Sequence, residues 1–258
     1  MCKHNPNQAM RVIIYLSLLA AAASAYTLPE FRVVNGTDAP LGKYPTLISL
    51  QNYQSHSCGG TILNENFFLT AAHCVQGASM AYMTALAGTN NLNNGGSRHQ
   101  VVEIIAHEGY DPGNNWINDI AVVRVGAPFV FDSNTAAVVL PSQDQESPGG
   151  SAGILVGWGT NGTGGTIQNI QQEVELVVYS DEDCGAIHGG RPHPTNICAG
   201  VQGGGKGQCS GDSGGPLFVN GYQAGIVSWS VKPCTVAPYP GVYTEVSPYI
   251  DWIRSKIY

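Results

Sequence analysis

Positive charge is scarce in this chain. Lys and Arg together number 11 among 258 residues, against 18 Asp and Glu, for a formal net charge of −7. No basic run occurs, so neither nucleic acid nor an anionic membrane is an expected partner, because both are gripped through clustered cations. Long apolar stretches are also lacking. The longest, Val12 to Ala23, falls short of the roughly 20 residues that span a bilayer. No C-x-x-C pair exists and only Cys74 adjoins a histidine, which disfavours zinc. Long helical patterns alternating with strands are absent, which argues against a parallel α/β sheet. Charge is low at 11%, but apolar content is an ordinary 43%, so the chain has the means to bury a core and is not disordered.

The amino-terminal region has its own character. Lys3 and Arg11 precede the apolar stretch, and A-S-A follows at Ala23 to Ala25. This is the pattern of a secretory signal peptide, residues 1–25, and implies a secreted, extracellular protein. Of seven cysteines, Cys2 would leave with the signal. Cys58, Cys74, Cys184, Cys198, Cys209 and Cys234 remain. An even number in an exported chain implies disulfides, and six cysteines leave fifteen pairings open.

Most periodic segments are short and β-like: 46–50, 66–70, 120–125, 152–158, 174–179 and 224–229. Each is rich in Val, Ile or aromatics and is bounded by Gly, Asn, Asp or Pro. The fold class is therefore all-β, with antiparallel barrels or sandwiches. Residues 127–137 read as the connection between two barrels. The end differs: Ser247 is placed to cap, Pro248 suits a first helical position, and Ile250, Ile253 and Ile257 recur at helical spacing. A C-terminal α-helix is expected.

Ser213 stands in G-D-S-G-G-P, Gly211 to Pro216. A serine hydroxyl needs a base to become a nucleophile, and the carbonyl it attacks needs donors for its developing charge. Glycines beside it let backbone N–H groups come close; the bland reading is a Gly-rich surface turn. Among the histidines, His73 in T-A-A-H-C follows an apolar strand, and a disulfide at Cys74 would pin it. His56 lies near Cys58 but in no motif. Asp119, in N-D-I-A-V-V, precedes a strand expected to be buried and needs a partner there; a cap or turn role is its bland reading.

L-T-A-A-H-C, N-D-I-A-V-V and G-D-S-G-G-P, in that order, resemble the chymotrypsin/trypsin family of serine endopeptidases, whose triad order they share. S-C-G-G-T-I-L, V-G-W-G, I-C-A-G and P-G-V-Y-T-E-V extend the likeness over nearly all of 33–258. It is most similar to arthropod chymotrypsins. The resemblance implies two antiparallel six-stranded β-barrels, 33–137 and 138–258, the second with its C-terminal helix. It implies Ser213 as nucleophile, His73 as base and Asp119 as orienter, with the N–H groups of Gly211 and Ser213 as oxyanion hole. The implied disulfides are Cys58–Cys74, Cys184–Cys198 and Cys209–Cys234. It also implies a zymogen with propeptide 26–32: a trypsin-like protease would cut after Arg32, and the freed Val33 ammonium would pair with Asp212.

In this family the residue six before the nucleophile lies at the base of the primary pocket, and here it is Gly207, not an acid. Gly241 adds none and leaves the back of the pocket open, so a buried Lys or Arg would lack a partner. Ser228, Trp229 and Ser230 complete the expected pocket, and Ser230 is placed to narrow its mouth. The expected preference is for large apolar or aromatic residues. The alternatives are elastase-like or broad collagenolytic cleavage, or a non-catalytic homologue that acts as a binding protein, which the intact triad opposes. No cofactor or metal is expected, since residues 87–96, the loop that binds calcium in some relatives, carry no carboxylate. Asn161 and Asn35 are glycosylation candidates, each in N-G-T. Expected partners are protein or peptide substrates, the activating protease and protein inhibitors; a monomer is expected, with digestion as the setting.

Overall fold

The computed structural model describes residue 1 and residues 34–258. The expected signal peptide, the propeptide, Arg32 and Val33 lie outside the described residues.

The expected β-segments form, and others join them. Strands β2 (Leu47–Asn52), β3 (Ser55–Ile62), β4 (Phe67–Thr70), β5 (Met83–Ala87), β6 (Ser97–Ala106) and β7 (Ala121–Val125) close into one barrel, in the order β2-β3-β4-β7-β6-β5. All its pairings are antiparallel. A second set follows: β8 (Ala152–Gly157), β9 (Gln172–Val178), β10 (Asn196–Gly200), β11 (Pro216–Val219), β12 (Tyr222–Trp229) and β13 (Gly241–Glu245). They run β9-β10-β13-β12-β11-β8, and pairing of β9 with β8 closes the ring. A two-residue strand, β1 (Thr37–Asp38), pairs with the start of β9. Closure removes the exposed strand edges that otherwise invite aggregation.

Each barrel holds its own core. Ile48, Leu50, Ile62, Phe68, Val123 and Phe129 fill the first; Leu155, Leu176, Ile197, Leu217 and Tyr243 fill the second. Strand alternation sends the other face of β4 and β7 outward, and these residues are apolar too. Phe67, Leu69, Ile120 and Val122 pack there against Ile226, Val246, Ile250 and Ile253. Burying a side chain of this size contributes about 1.5–3 kcal/mol, so this interface holds the barrels together strongly. Thr61 Oγ1 adds a buried hydrogen bond across it, to Gln223 Oε1 at 2.6 Å.

Two helices lie outside the barrels. Helix α1 (Asp181–His188), absent from the sequence expectation, is capped by Ser180, whose hydroxyl accepts from the Asp183 N–H. The C-terminal helix, α2 (Ile250–Lys256), is entered through a 3-10 turn, Ser247–Tyr249. Ser247 makes no capping bond, contrary to expectation; it is buried within the 3-10 turn. Ile250 and Ile253 face the interface as their spacing requires.

Candidate active site

His73 sits in the 3-10 turn Ala72–Cys74 that follows β4. Cys74 is bonded to Cys58 on β3, so the turn is tied back to the barrel wall. Asp119 lies just before β7 and is fully buried. The residue ahead of it, Asn118, takes a left-handed φ of 56°. Asn tolerates that conformation better than most residues, and its amide is tied to Gly109 O at 2.8 Å. The Asp119 carboxylate accepts three hydrogen bonds: from the His73 backbone N–H at 2.9 Å, His73 Nδ1 at 2.7 Å and Ser228 Oγ at 2.6 Å. A buried carboxylate would be costly without them.

The Ser213 loop comes from the second barrel and lies against the first. Gly59 N–H donates to Ser213 O at 2.8 Å, and Thr70 Oγ1 donates to Gly59 O at 2.8 Å. Gly214, at φ 76°, abuts Thr70 so closely that any Cβ would collide with its hydroxyl. Glycine there lets the serine loop settle beside the His73 turn. Among the described residues no hydrogen bond joins His73 to the Ser213 hydroxyl. Within the loop the N–H groups of Asp212, Gly214 and Gly215 are bonded to Cys209 O, Val227 O and Asp212 O. Those of Gly211 and Ser213 have no acceptor among the described residues.

Asp212 points the other way, into the second barrel, and is fully buried. Its carboxylate accepts from Gly159 N–H at 2.8 Å and Cys209 N–H at 2.9 Å. Gly157 and Gly159 make room for it, since a Cβ at either would overlap the carboxylate. That is the physical reason for V-G-W-G. Burial pushes the Asp212 carboxyl up to about 7, only partly offset by the two N–H donors.

Gly207 is buried and lines a cavity of about 10 Å³ with Gln208, Ser230, Thr235, Tyr239 and Gly241. Trp229 and Ser228 are buried at the end of β12. Cys209 is bonded to Cys234, and Cys184 to Cys198. Two histidines lie close to cysteine pairs, His73 and His188, but those sulfurs are spent in disulfides and cannot act as thiolate ligands. Lys232 is exposed and donates to Cys234 Sγ at 3.0 Å.

Residues 33–253 match the sequence profile of the family described as Trypsin. The chain belongs to the trypsin family of serine endopeptidases. It is 39% identical to Trypsin-1 of Astacus astacus over 239 residues, covering 87% of this chain and 99% of that one. It is 40% identical to Trypsin Blo t 3 of Blomia tropicalis, covering 88% and 86%. It is 36% identical to Trypsin beta of Drosophila erecta, covering 95% and 98%.

Two residues of this trypsin-family site were not visible in the sequence. His56, set aside there, is half-buried and bridges Ser49 Oγ to Gly211 O, at 2.8 Å each. It thereby holds the Gly211 carbonyl within the Ser213 loop. Burial pushes its pKa down to about 4, partly opposed by the bond to Gly211 O. Gln208 was not singled out at all, although it is 3% exposed and adjoins Gly207. Only its neighbour hinted at a pocket role, because a polar residue of that length is ordinarily at the surface.

Proposed function

We propose that this endopeptidase is exported as an inactive precursor and cut after Arg32, and that it then cleaves protein chains after large apolar residues. Ser213 attacks the substrate carbonyl, and His73 takes its proton and returns it to the leaving amine. Asp119 fixes the ring and balances the imidazolium charge. The unpaired N–H groups of Gly211 and Ser213 receive the oxyanion. The carrying observation is the three-bonded Asp119 carboxylate, which holds His73 by backbone and ring beside the serine loop.

Specificity follows from charge. Gly207 and Gly241 bring no carboxylate to the pocket lining, which favours an uncharged substrate side chain. The relatives' name, trypsin, favours a second reading, cleavage after Lys or Arg.

Activation rests on Asp212. Its carboxyl is buried, and while Val33 is in peptide linkage that residue offers no ammonium. A pKa near 7 marks a site that a new cation would stabilise strongly. The family match begins at Val33, the residue freed by the proposed cut.

The test is a peptide panel on protein with Val33 verified as its amino terminus, varying only the residue before the scissile bond: Phe, Leu, Ala, Arg, Glu. Turnover of Phe and Leu supports the neutral pocket; preference for Arg overturns it in favour of the second reading.

A further inference from the structure

Gly207 and Gly241 bring no side chains to the back of the pocket, yet the space beside Gly241 is not empty. Gln208 fills it. Its Nε2 donates to Trp229 O at 2.6 Å and to Val242 O at 3.5 Å, so the amide spans the ends of β12 and β13. Its side chain lies on Gly241: a Cβ there would come within 2.9 Å of Cδ, 3.0 Å of Nε2 and 3.1 Å of Cγ. The missing Gly241 side chain is thus replaced by its neighbour's, and the back of the pocket is closed and not open as the sequence implied. The cavity that remains, about 10 Å³, has room for about one water molecule.

The other end of the amide completes the picture. Gln208 Oε1 is buried and has no hydrogen-bond partner. A buried acceptor of this kind calls for a donor, and one water in the adjoining cavity is the simplest.

The geometry points to Gln208 as the residue that ranks substrates in this pocket, acting as a polar floor that favours Leu and Met over Phe and Tyr. A Leu or Met side chain stops short of the floor or bends around it. A flat aromatic ring must push the amide aside or expel the water, leaving Oε1 without a donor. A pocket contact of this kind discriminates by about 10- to 200-fold. The inference rests on the neutral-pocket reading above and refines it.

The experiment compares Ala, Leu, Met, Phe, Tyr and Arg peptides on the Val33-started enzyme and its Gln208→Ser variant, with active sites counted by a covalent serine reagent. The wild type is expected to give a kcat/KM for Leu at least about tenfold above that for Phe. Gln208→Ser, which removes the floor, is expected to shift the Leu-to-Phe ratio at least about tenfold towards Phe, mainly through KM. Gln208→Asn, one methylene shorter, serves if the Ser variant does not fold; its shift is expected in the same direction and smaller. An unchanged ratio in whichever variant folds overturns the ranking role and leaves the neutral pocket standing. So does a wild type that prefers Phe. No cleavage of any uncharged peptide, with Arg peptides cleaved, overturns the neutral pocket and the ranking with it.

Discussion

Asp119 holds His73 at two points, taking its backbone N–H on Oδ1 and its ring Nδ1 on Oδ2. The ring therefore has neither its turn nor its tautomer free. Asp119→Asn presents an N–H₂ or a neutral oxygen where a carboxylate stood, and favours the wrong tautomer. A fall in kcat of about 10⁴ is expected, with the fold unchanged by circular dichroism; that is the size of this change in the reference triad of the family.

His56 makes stability pH-dependent. Its folded pKa, about 4, lies below the free value near 6.5. The neutral ring's contribution is whole above pH 6.5 and is lost as pH falls through 6.5 towards 4. It amounts to about 3 kcal/mol across that window. His56→Gln removes the titration, so a plot of Tm against pH is expected to be shallower between pH 6.5 and 4 than in the wild type.

Glu245 acts in the opposite sense. Burial first, then the nearby charges of Asp181, Asp144 and Glu146, raise its pKa to about 7. Its contribution is whole below about pH 4.5 and is lost as pH rises through 7. Glu245→Gln is expected to stabilise the protein at pH 8 by about 1 kcal/mol, after discounting for partial exposure, and to change little at pH 4. Urea melts at both pH values check this.

Asp212→Asn removes the acceptor proposed for the Val33 ammonium. After cleavage behind Arg32, this variant is expected to gain at least about 100-fold less activity than the wild type, since breaking a buried pair costs about 3–5 kcal/mol. Acetylating the Val33 amine is expected to do the same. Full activity in the acetylated enzyme would overturn the activation proposal.

Asn35 and Asn161 separate on geometry. Asn35 Nδ2, the atom a glycan would occupy, donates to Gly205 O at 2.6 Å. Asn161 is exposed in the loop after Gly159. Glycosidase treatment is expected to shift the mass of protein expressed through the secretory route, and Asn161→Gln to abolish that shift while Asn35→Gln leaves it.

The sequence was most legible where one motif carried one physical demand. G-D-S-G-G stood out because glycine beside a serine has a reason, and β4 and β7 showed because each carries apolar residues on both faces. Strand β3, S-H-S-C-G-G-T-I, was hidden because its outer half is polar and its inner half is glycine. Helix α1 was hidden because three acids and a glycine leave it little apolar stripe. His56 and Gln208 were illegible for a different reason. Each is a polar residue whose role depends on a partner more than 20 residues away, and no local pattern encodes that.

The disulfides also have a bearing on how the molecule comes apart. Cys58–Cys74 closes within the first barrel, and Cys184–Cys198 and Cys209–Cys234 within the second. Among the described residues, no covalent bond other than the main chain joins the two halves. That main chain crosses between β7 and β8 through a stretch in which Val130 and Phe131 are exposed. One nick there yields two polypeptides, one carrying His73 and Asp119 and the other Ser213. Neither fragment holds all three residues of the proposed triad, and what keeps them in register is the apolar contact around Phe67 and Ile253 together with hydrogen bonds such as Thr61–Gln223, Gly59–Ser213 and Ser228–Asp119.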